Sequence, residues 1–343
     1  MSQLGIQSLR VGIDPGALYI RAYLESKQEV SEPAVAALDY RSGEVVAVGR
    51  AAATRLRQRG AYLRECRPFV AGEVVHYEAA RLLLRQVLDT VQKRAVWRPD
   101  VCLAVPRDMA PLALRTWTDV AVQAGARSAI LVDRGAAAAL GSDADLAAPT
   151  ATAAVDLGVG MAAAVTAGGG YLATTTAAVG MGALKERLGE YLVATYDLFT
   201  DDELLRFALH GAASATAADT ERAVLLRGRL QADGTQRMVT LTAQEILPLV
   251  TAYLDRLAVY LRHWLARVSP QAQADIYRNG VILTGGGSLL DGIEDYLTAQ
   301  LGVAVQVSPN PFGTVAKGAL KALQRSGDWP YLLASAMTNE RSK

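Results

Sequence analysis

The chain has 343 residues, which predicts about two domains at roughly 150 residues each. Apolar residues make up 51% and charged residues 20%, with a formal net charge of +1. This composition excludes an intrinsically disordered chain and a strongly basic nucleic-acid-binding protein.

The cysteine count and the hydropathy limit the cellular compartments in which the chain is expected. Cys66 and Cys102 are too few for a disulfide framework or a zinc site, so we expect a reducing compartment. No apolar run reaches about 18 residues, and the first ten residues lack the apolar core of a signal peptide. We therefore expect a soluble, cytoplasmic chain without a membrane-spanning helix.

Apolar, β-rich runs alternate with helical patterns along the chain, which is typical of an α/β fold. The predicted strands are residues 10–13, 101–105, 130–132, 152–156 and 280–283. The predicted helices are residues 77–93, 112–124 and 246–268. In the last helix, apolar residues recur at three- and four-residue spacing, which predicts a core-facing stripe. The stripe consists of Val250, Tyr253, Leu254, Leu257, Leu261 and Trp264.

Two segments, residues 11–25 and 154–168, share one pattern: an apolar strand, Asp-x-Gly, a turn and a second apolar strand. When the two segments are aligned with each other, Asp14 and Asp156 occupy equivalent positions, which indicates a duplicated unit. Glycine lets backbone N–H groups approach a phosphate, and a carboxylate at a strand end can hold Mg²⁺ through water. The pair predicts a phosphate clamp, with two ordinary β-hairpins as the alternative.

A third glycine cluster lies within residues 279–297, where an apolar strand ends in Thr284, Gly285, Gly286 and Gly287. We expect a helix to open directly after the glycines, with Ser288 near its N-cap. Such a helix start favours an anionic or polar ligand. The alternative is a tight strand-to-helix turn.

Other chemical motifs are weak or absent. Residues 158–163 fit G-x-G-x-x-A, but no acidic residue ends a strand about 20 residues later, which argues against a dinucleotide-binding site. The chain has no P-loop sequence. Its three histidines, His76, His210 and His263, are scattered, so we expect core or surface roles for them. No Ser-His-Asp constellation can be assembled.

Five further segments extend the pattern over roughly residues 10–323: residues 31–50, 67–77, 103–126, 282–290 and 308–323. Together with the two Asp-x-Gly hairpins, and in this order, they resemble the actin-like ATPases and most closely the MreB family of bacterial actins. The resemblance implies a two-lobed, actin-like α/β fold, which is a duplicated ribonuclease H-like architecture with a central nucleotide cleft.

The resemblance also implies a division of the chain. Lobe I would cover residues 1–150, with a small outer subdomain at about 29–76. Lobe II would cover residues 151–323, with a small outer subdomain at about 181–245. Residues 308–323 would form a closing helix that returns to lobe I, and residues 324–343 a C-terminal tail.

Carried over residue by residue, the resemblance implies a site for ATP or ADP with Mg²⁺. Asp14 and Asp156 would hold the Mg²⁺ through water. The implied nucleotide-binding residues are Asp14, Gly16, Ala17, Asp156, Gly158, Gly160, Glu203, Gly285, Gly286 and Gly287.

The catalytic positions depart from the family. Arg134 occupies the position of the water-orienting carboxylate, and a permanently charged guanidinium cannot activate a water. The neighbouring Asp133 would point the other way in a regular strand. Donor side chains of the first hairpin are replaced by Ala17, Tyr19 and Ile20. We expect weak or absent nucleotide binding and slow or absent hydrolysis, with no intact catalytic residue. In an alternative interpretation, Arg134 pairs with a terminal phosphate and traps nucleotide.

Residues 93–99 match the position of a loop with which the family inserts apolar side chains into the bilayer. Here Val96 and Trp97 are flanked by cationic residues, a composition expected at a lipid headgroup boundary. We expect the two residues to contact the membrane. The alternative is a helix-to-strand turn in which Trp97 packs inward.

The expected function is that of a divergent MreB-like protein that forms or joins filaments at the inner face of the cell membrane and organises cell shape or wall synthesis. Its expected partners are itself, another MreB-type protein and the membrane surface, but no nucleic acid. One alternative is a regulatory partner of a true MreB that does not polymerise. A second is a small-molecule kinase of the same superfamily, which the lack of an acidic base at Arg134 disfavours.

Overall fold

A computed structural model describes residues 9–58, 62–92, 97–216 and 222–325. The strands are β1 (Arg10–Pro15), β2 (Tyr19–Leu24), β3 (Glu29–Pro33), β4 (Ala36–Asp39), β5 (Val45–Val48), β6 (Leu63–Cys66), β7 (Phe69–Val70), β8 (Glu73–Val74), β9 (Asp100–Val105), β10 (Ser128–Asp133), β11 (Thr152–Leu157), β12 (Met161–Ala167), β13 (Gly170–Ala177), β14 (Leu198–Phe199), β15 (Ala223–Leu230), β16 (Gln236–Thr242), β17 (Val281–Thr284) and β18 (Val305–Val307). The helices are α1 (Gly49–Arg57), α2 (Tyr77–Gln92), α3 (Pro111–Ala124), α4 (Arg134–Gly141), α5 (Met181–Tyr196), α6 (Asp202–Ala212), α7 (Ala243–Leu265), α8 (Pro270–Asn279), α9 (Ile293–Leu301) and α10 (Thr314–Gln324). The five strands and the three helices whose bounds are predicted from the alternating pattern are all present, which confirms the α/β assignment.

The first five-stranded sheet of the described residues has the order β10-β9-β1-β2-β3. At its centre, β1 runs parallel to β9 and antiparallel to β2, with which it forms a hairpin. Both β1 and β9 are buried almost throughout. Burial on both faces explains their continuous apolar sequences.

The second five-stranded sheet in this part of the chain has the order β13-β12-β11-β17-β18. Here β11 takes the central place that β1 has in the first sheet, and the next strand again folds back beside it. Asp14 and Asp156 are each the fifth residue of their central strand. The pattern shared by residues 11–25 and 154–168 is therefore a repeated strand-turn-strand unit.

The core beneath the first sheet is built around Trp117 of α3. This residue is fully buried, its ring centroid lies 4.9 Å from that of Phe69, and its indole N–H donates to the carbonyl oxygen of Gly72 over 2.8 Å. Leu83 and Leu84 of α2 belong to the same cluster. The two helices thus hold the sheet from which Asp14 and Arg134 are presented.

Glycines let α10 approach α4 very closely. A Cβ atom on Gly318 would lie 1.7 Å from the carbonyl oxygen of Ala137, and one on Gly141 would lie 1.8 Å from that of Thr314. Only glycine permits such an approach of two helix backbones. The contact fixes α4, whose first residue is Arg134.

The long helix predicted over residues 246–268 is α7, and all six residues of its predicted stripe are buried. The helix starts with a capping box, in which the Thr242 hydroxyl accepts from the N–H of Glu245 and the Glu245 carboxylate accepts from the N–H of Thr242. The prediction of a core-facing helix is confirmed.

Three smaller sheets complete the described strands: β5-β4-β6, β14-β15-β16 and the pair β7-β8. The first and the last lie within residues 29–76, and the second lies within residues 181–245.

The chain divides into two compact units, as far as it is described. Unit 1 consists of Met1–Asp156, Ala162–Thr176 and Phe312–Lys343, and unit 2 consists of Leu157–Met161 and Ala177–Pro311. The division falls at the end of β11. The lobe boundaries after residues 150 and 323 stay predictions.

The helix expected to open at Ser288 begins later, and this prediction is wrong. A short 3-10 helix covers Gly286–Leu289, and α9 starts at Ile293 after Gly292, whose φ is +75°. The Ser288 hydroxyl donates to the carbonyl oxygen of Gly285 over 2.7 Å instead of capping a helix. Consecutive glycines disfavour an α-helix, which accounts for the delay.

Among the described residues, no helix combines the length and the apolar character needed to cross a membrane. Residues 93–96, which include Val96, and residues 326–343 of the predicted tail lie outside the described residues.

Candidate functional site

The two aspartates of the repeated hairpins are buried near the ends of their strands. Asp14 is 3% exposed and Asp156 is 4% exposed, and both belong to unit 1. A buried carboxylate is unfavourable unless it is paired and hydrogen-bonded. The two positions therefore require a compensating group.

Arg134 supplies that group. Its Nη2 lies 2.6 Å from Oδ1 of Asp14, and its Nε lies 2.5 Å from Oδ2 of Asp156. Arg134 follows β10 directly as the first residue of α4, and its side chain is 16% exposed. The structure thus brings together three residues that the sequence singled out separately, which we call the Asp14–Arg134–Asp156 cluster.

Opposing influences act on the charges of this cluster. Burial raises the pKa of the Asp14 carboxyl above its ordinary value, while Arg134 opposes this rise and Asp156 adds to it. Burial alone would lower the pKa of the Arg134 guanidinium, but the two carboxylates outweigh it and hold that pKa above its ordinary value. The Arg134–Asp14 contact is a close ion pair, with 2.6 Å between Nη2 and Oδ1.

The turn of the first hairpin lies beside this cluster. A Cβ atom on Gly16 would lie 2.7 Å from the carbonyl oxygen of Tyr19 and 3.8 Å from Nη2 of Arg134. The next residue, Ala17, is half-buried and carries only a methyl group. Glycine therefore meets a steric demand of the turn, while Ala17 offers no side-chain donor to a ligand.

The turn of the second hairpin is bonded to the start of α5 within unit 2. The N–H of Gly158 donates to the carbonyl oxygen of Gly160 over 2.8 Å. The N–H of Met181 donates to the carbonyl oxygen of Gly158 over 2.8 Å, and that of Gly182 donates to the carbonyl oxygen of Val159 over 2.9 Å. These backbone donors are satisfied inside the chain, as the alternative of an ordinary hairpin requires.

The third glycine loop, also in unit 2, is shaped by close packing. Gly285 has φ +84°, and its N–H donates to the carbonyl oxygen of Pro311 over 3.1 Å. A Cβ atom on Gly287 would lie 2.7 Å from Cγ of both Leu157 and Met181. At these two positions the local geometry already requires glycine.

Glu203 lies in the first turn of α6, in unit 2, and is exposed. The helix is capped by Asp201, whose carboxylate accepts from the N–H of Leu204 over 2.9 Å. This cap fixes the register of Glu203 at the helix start.

A second titratable group adjoins Arg134. The Asp133 carboxylate accepts from the N–H of Ala136 over 2.9 Å and so caps α4. Burial raises the pKa of Asp133 to about 6. Arg107 stacks 4.1 Å from the ring centroid of Tyr171, and both residues lie close enough to Asp133 to interact with it electrostatically. Asp133 is therefore engaged by its own helix.

Trp97 is 57% exposed, and its carbonyl oxygen accepts from the side-chain amide of Gln92 over 3.4 Å. The alternative in which Trp97 packs inward is therefore wrong for this structure.

Comparison with known proteins assigns the family. The model of the MreB/Mbl protein family matches residues 8–329.

The chain belongs to the MreB/Mbl family.

Within this family, the chain is 28% identical over 328 residues to the cell shape-determining protein MreB of Escherichia coli strain K12, covering 93% of this chain and 94% of that protein. The crystal structure of MreB5 of Spiroplasma citri bound to ADP superposes with a TM-score of 0.86 at 20% identity, over 93% of this chain and 97% of that one. A MamK double helical filament structure gives 0.76 at 17% identity, over 93% and 99%. The fold is therefore actin-like.

The Mg²⁺ ion implied by the family resemblance does not fit the Asp14–Arg134–Asp156 cluster as it is arranged. Mg²⁺ requires near-octahedral oxygen ligands at about 2.0–2.1 Å. The oxygens that would face it already contact a guanidinium, so a cation there would meet like charge at contact distance. Among the described residues, no group of three or more His, Cys, Asp or Glu side chains is placed to hold a metal ion. The assignment of Mg²⁺ to these aspartates stays a prediction, and this geometry argues against it.

The sequence identifies the members of the cluster but not how they pair. The alternative interpretation gives Arg134 a terminal phosphate as its partner, whereas in the structure Arg134 contacts two carboxylates. The signal was present, because two buried aspartates at equivalent strand ends need a cation. The contact between Arg107 and Tyr171 left no signal, since it joins a loop to a strand far along the chain.

Proposed function

We propose that this MreB/Mbl family member is a cytoskeletal protein that assembles into filaments and takes part in organising cell shape or wall synthesis. The observation that carries the proposal is the family match over residues 8–329. The Escherichia coli relative is named a cell shape-determining protein, and the MamK relative in fold is a double helical filament. Self-association is therefore the expected mode of action.

We further propose weak binding of ATP or ADP. The Spiroplasma citri MreB5 structure, which is similar in fold, is bound to ADP. The glycines that the resemblance assigns to nucleotide binding, including Gly16, Gly158, Gly160 and Gly285, are present in this chain. Ala17 offers no hydroxyl, and each lost hydrogen bond weakens binding by about 1 kcal/mol.

Hydrolysis is proposed to be lost or very slow. Arg134 lies at the position that the resemblance assigns to the water-orienting carboxylate, and both of its ends are held by aspartates. A guanidinium has no acceptor with which to orient or deprotonate a water. The chain would therefore bind nucleotide without hydrolysing it, and the bound nucleotide would have a structural role.

The protein is proposed to lie in the cytoplasm, at the inner face of the cell membrane. Trp97 is an exposed aromatic residue and the first residue of the described segment 97–216, and Val96 precedes it in sequence. Exposed tryptophan beside cationic residues suits the headgroup region of a bilayer. Repetition of this loop along a filament would add avidity to a weak individual contact.

Electron microscopy of the purified protein, with and without nucleotide, tests the proposal. Filaments in either condition support it. If the protein forms no filaments alone but enters filaments of a true MreB from the same cell, the regulatory alternative is correct. If it does neither, the cytoskeletal proposal is wrong.

A further inference from the structure

We propose that the Arg134 guanidinium is a built-in counter-ion that replaces a divalent cation between Asp14 and Asp156. The chain would then need no metal ion at this position, and would bind none there. The inference concerns the nucleotide-free protein and does not depend on filament formation or on nucleotide binding.

The first support is the contact geometry. Two nitrogen atoms of one guanidinium reach one oxygen of each carboxylate, at 2.6 Å and 2.5 Å. Arginine presents its donors in a rigid planar fork, which suits it to bridge two carboxylates. A metal ion between the same carboxylates would have to displace both contacts.

The second support is the rigidity of the element that carries Arg134. Every residue of α4 after Arg134 is buried. A Cβ atom on Gly135 would lie 2.6 Å from the backbone of Ala163 and Ala164, so the helix start lies directly against β12. The backbone of Arg134 is therefore fixed, and only rotation of its side chain could vacate the position between the aspartates.

The third support is the local charge. Asp14 lies opposite Arg21 in the β1–β2 register, so a second guanidinium contributes positive charge to the surroundings of Asp14. The Arg21 guanidinium is itself stacked 5.2 Å from the ring centroid of Tyr19 and 5.0 Å from that of Phe312. With two arginines near the two carboxylates, the chain balances their charge from its own side chains.

The experiment compares thermal unfolding midpoints without nucleotide, in EDTA and in millimolar MgCl₂ or MnCl₂. The variants are the parent, Arg134→Gln and the matched control Arg127→Gln, which removes an arginine paired to the single carboxylate of Asp100. The parent midpoint should be the same in EDTA and in either metal. Arg134→Gln should unfold about 5–10 °C lower in EDTA, because two buried carboxylates lose their partner. Mg²⁺ or Mn²⁺ should restore a large part of this loss in Arg134→Gln and shift Arg127→Gln no more than the parent.

Three outcomes would overturn the proposal: a parent midpoint that rises in metal and loses this rise in Asp156→Asn, an Arg134→Gln variant as stable as the parent in EDTA, or a destabilised Arg134→Gln that does not respond to metal. If Arg134→Gln yields no folded protein, electron paramagnetic resonance of Mn²⁺ added to the parent decides. Mn²⁺ that stays free in solution supports the proposal. Mn²⁺ that binds the parent and still binds Asp156→Asn also supports it, because the ion must then lie at another site. Bound Mn²⁺ that is lost in Asp156→Asn overturns it.

Discussion

Arg134 and Asp156 are 22 positions apart in sequence, yet Nε of the arginine donates to Oδ2 of the aspartate over 2.5 Å. The bond joins the first residue of α4 to the end of β11, the central strand of the second sheet. The family resemblance implies a catalytic carboxylate at position 134 and a metal-binding one at position 156, whereas in this structure the two side chains form an ion pair with each other.

Asp133 predicts an unusual dependence of stability on pH. Its pKa is about 6 in the folded chain against an ordinary value of 3.8, so the folded state holds a proton that the unfolded state has already released. The free energy of unfolding should therefore fall as the pH rises from about 4 to about 6, and the loss is complete above that range. Asp133→Asn keeps an oxygen that accepts from the N–H of Ala136 and should flatten this part of the profile.

Denaturant unfolding at several pH values measures the effect. At neutral pH, Asp133→Asn should be more stable than the parent by up to about 3 kcal/mol, the equivalent of roughly two pKa units. The matched control is Asp201→Asn, which replaces an exposed N-cap aspartate and should leave the parent slope in place. A parent slope between pH 4 and 6 that persists in Asp133→Asn would refute the assignment.

Two glycine-to-alanine changes, one at the contact between α10 and α4 and one in α5, should have opposite effects on the free energy of unfolding. Gly318→Ala would place a Cβ atom 1.7 Å from a backbone oxygen that cannot move alone, so we expect a loss of at least about 1–3 kcal/mol in unfolding free energy. Gly189→Ala in α5 meets only Cδ1 of Leu205, at 3.4 Å, and should gain up to about 1 kcal/mol from helix propensity. Thermal unfolding of both variants checks this, and equal midpoints would contradict the described helix contact.

The proposed membrane attachment predicts that replacing the exposed Trp97 weakens binding to lipid. Co-sedimentation with anionic liposomes should fall clearly in the double variant Val96→Ser, Trp97→Ser, because burying these side chains contributes about 25 cal/mol per Å² of apolar surface. Tyr277→Ser is the control, since Tyr277 is 70% exposed on α8 in the other unit. Equal loss in the control, or no loss in the double variant, would exclude this loop as the anchor.

The sequence predicted the strands and helices well because their signals are local. The apolar stripe of α7 and the repeated Asp-x-Gly units can each be recognised within a short stretch of sequence. The Asp14–Arg134–Asp156 cluster depends on how three strand ends meet, which no short-range pattern contains. The helix start at Ser288 was misplaced because the glycine run resembles a ligand loop, whereas Gly285 and Gly287 meet steric demands of the turn.

With Arg134 held between two aspartates, we expect this member of the MreB/Mbl family to hydrolyse ATP slowly or not at all. The family resemblance also implies threonines in the second hairpin where this chain has Met161 and Ala162. Restoring one group should not rebuild the site, so Arg134→Glu should raise turnover only when Met161 and Ala162 are also changed to threonine.

The most direct test is steady-state phosphate release at saturating ATP, with MreB of Escherichia coli measured alongside. We expect a rate about 10²–10⁴-fold below that of the relative, the range associated with losing one positioned catalytic group. A rate equal to that of the relative would refute the proposed loss of hydrolysis.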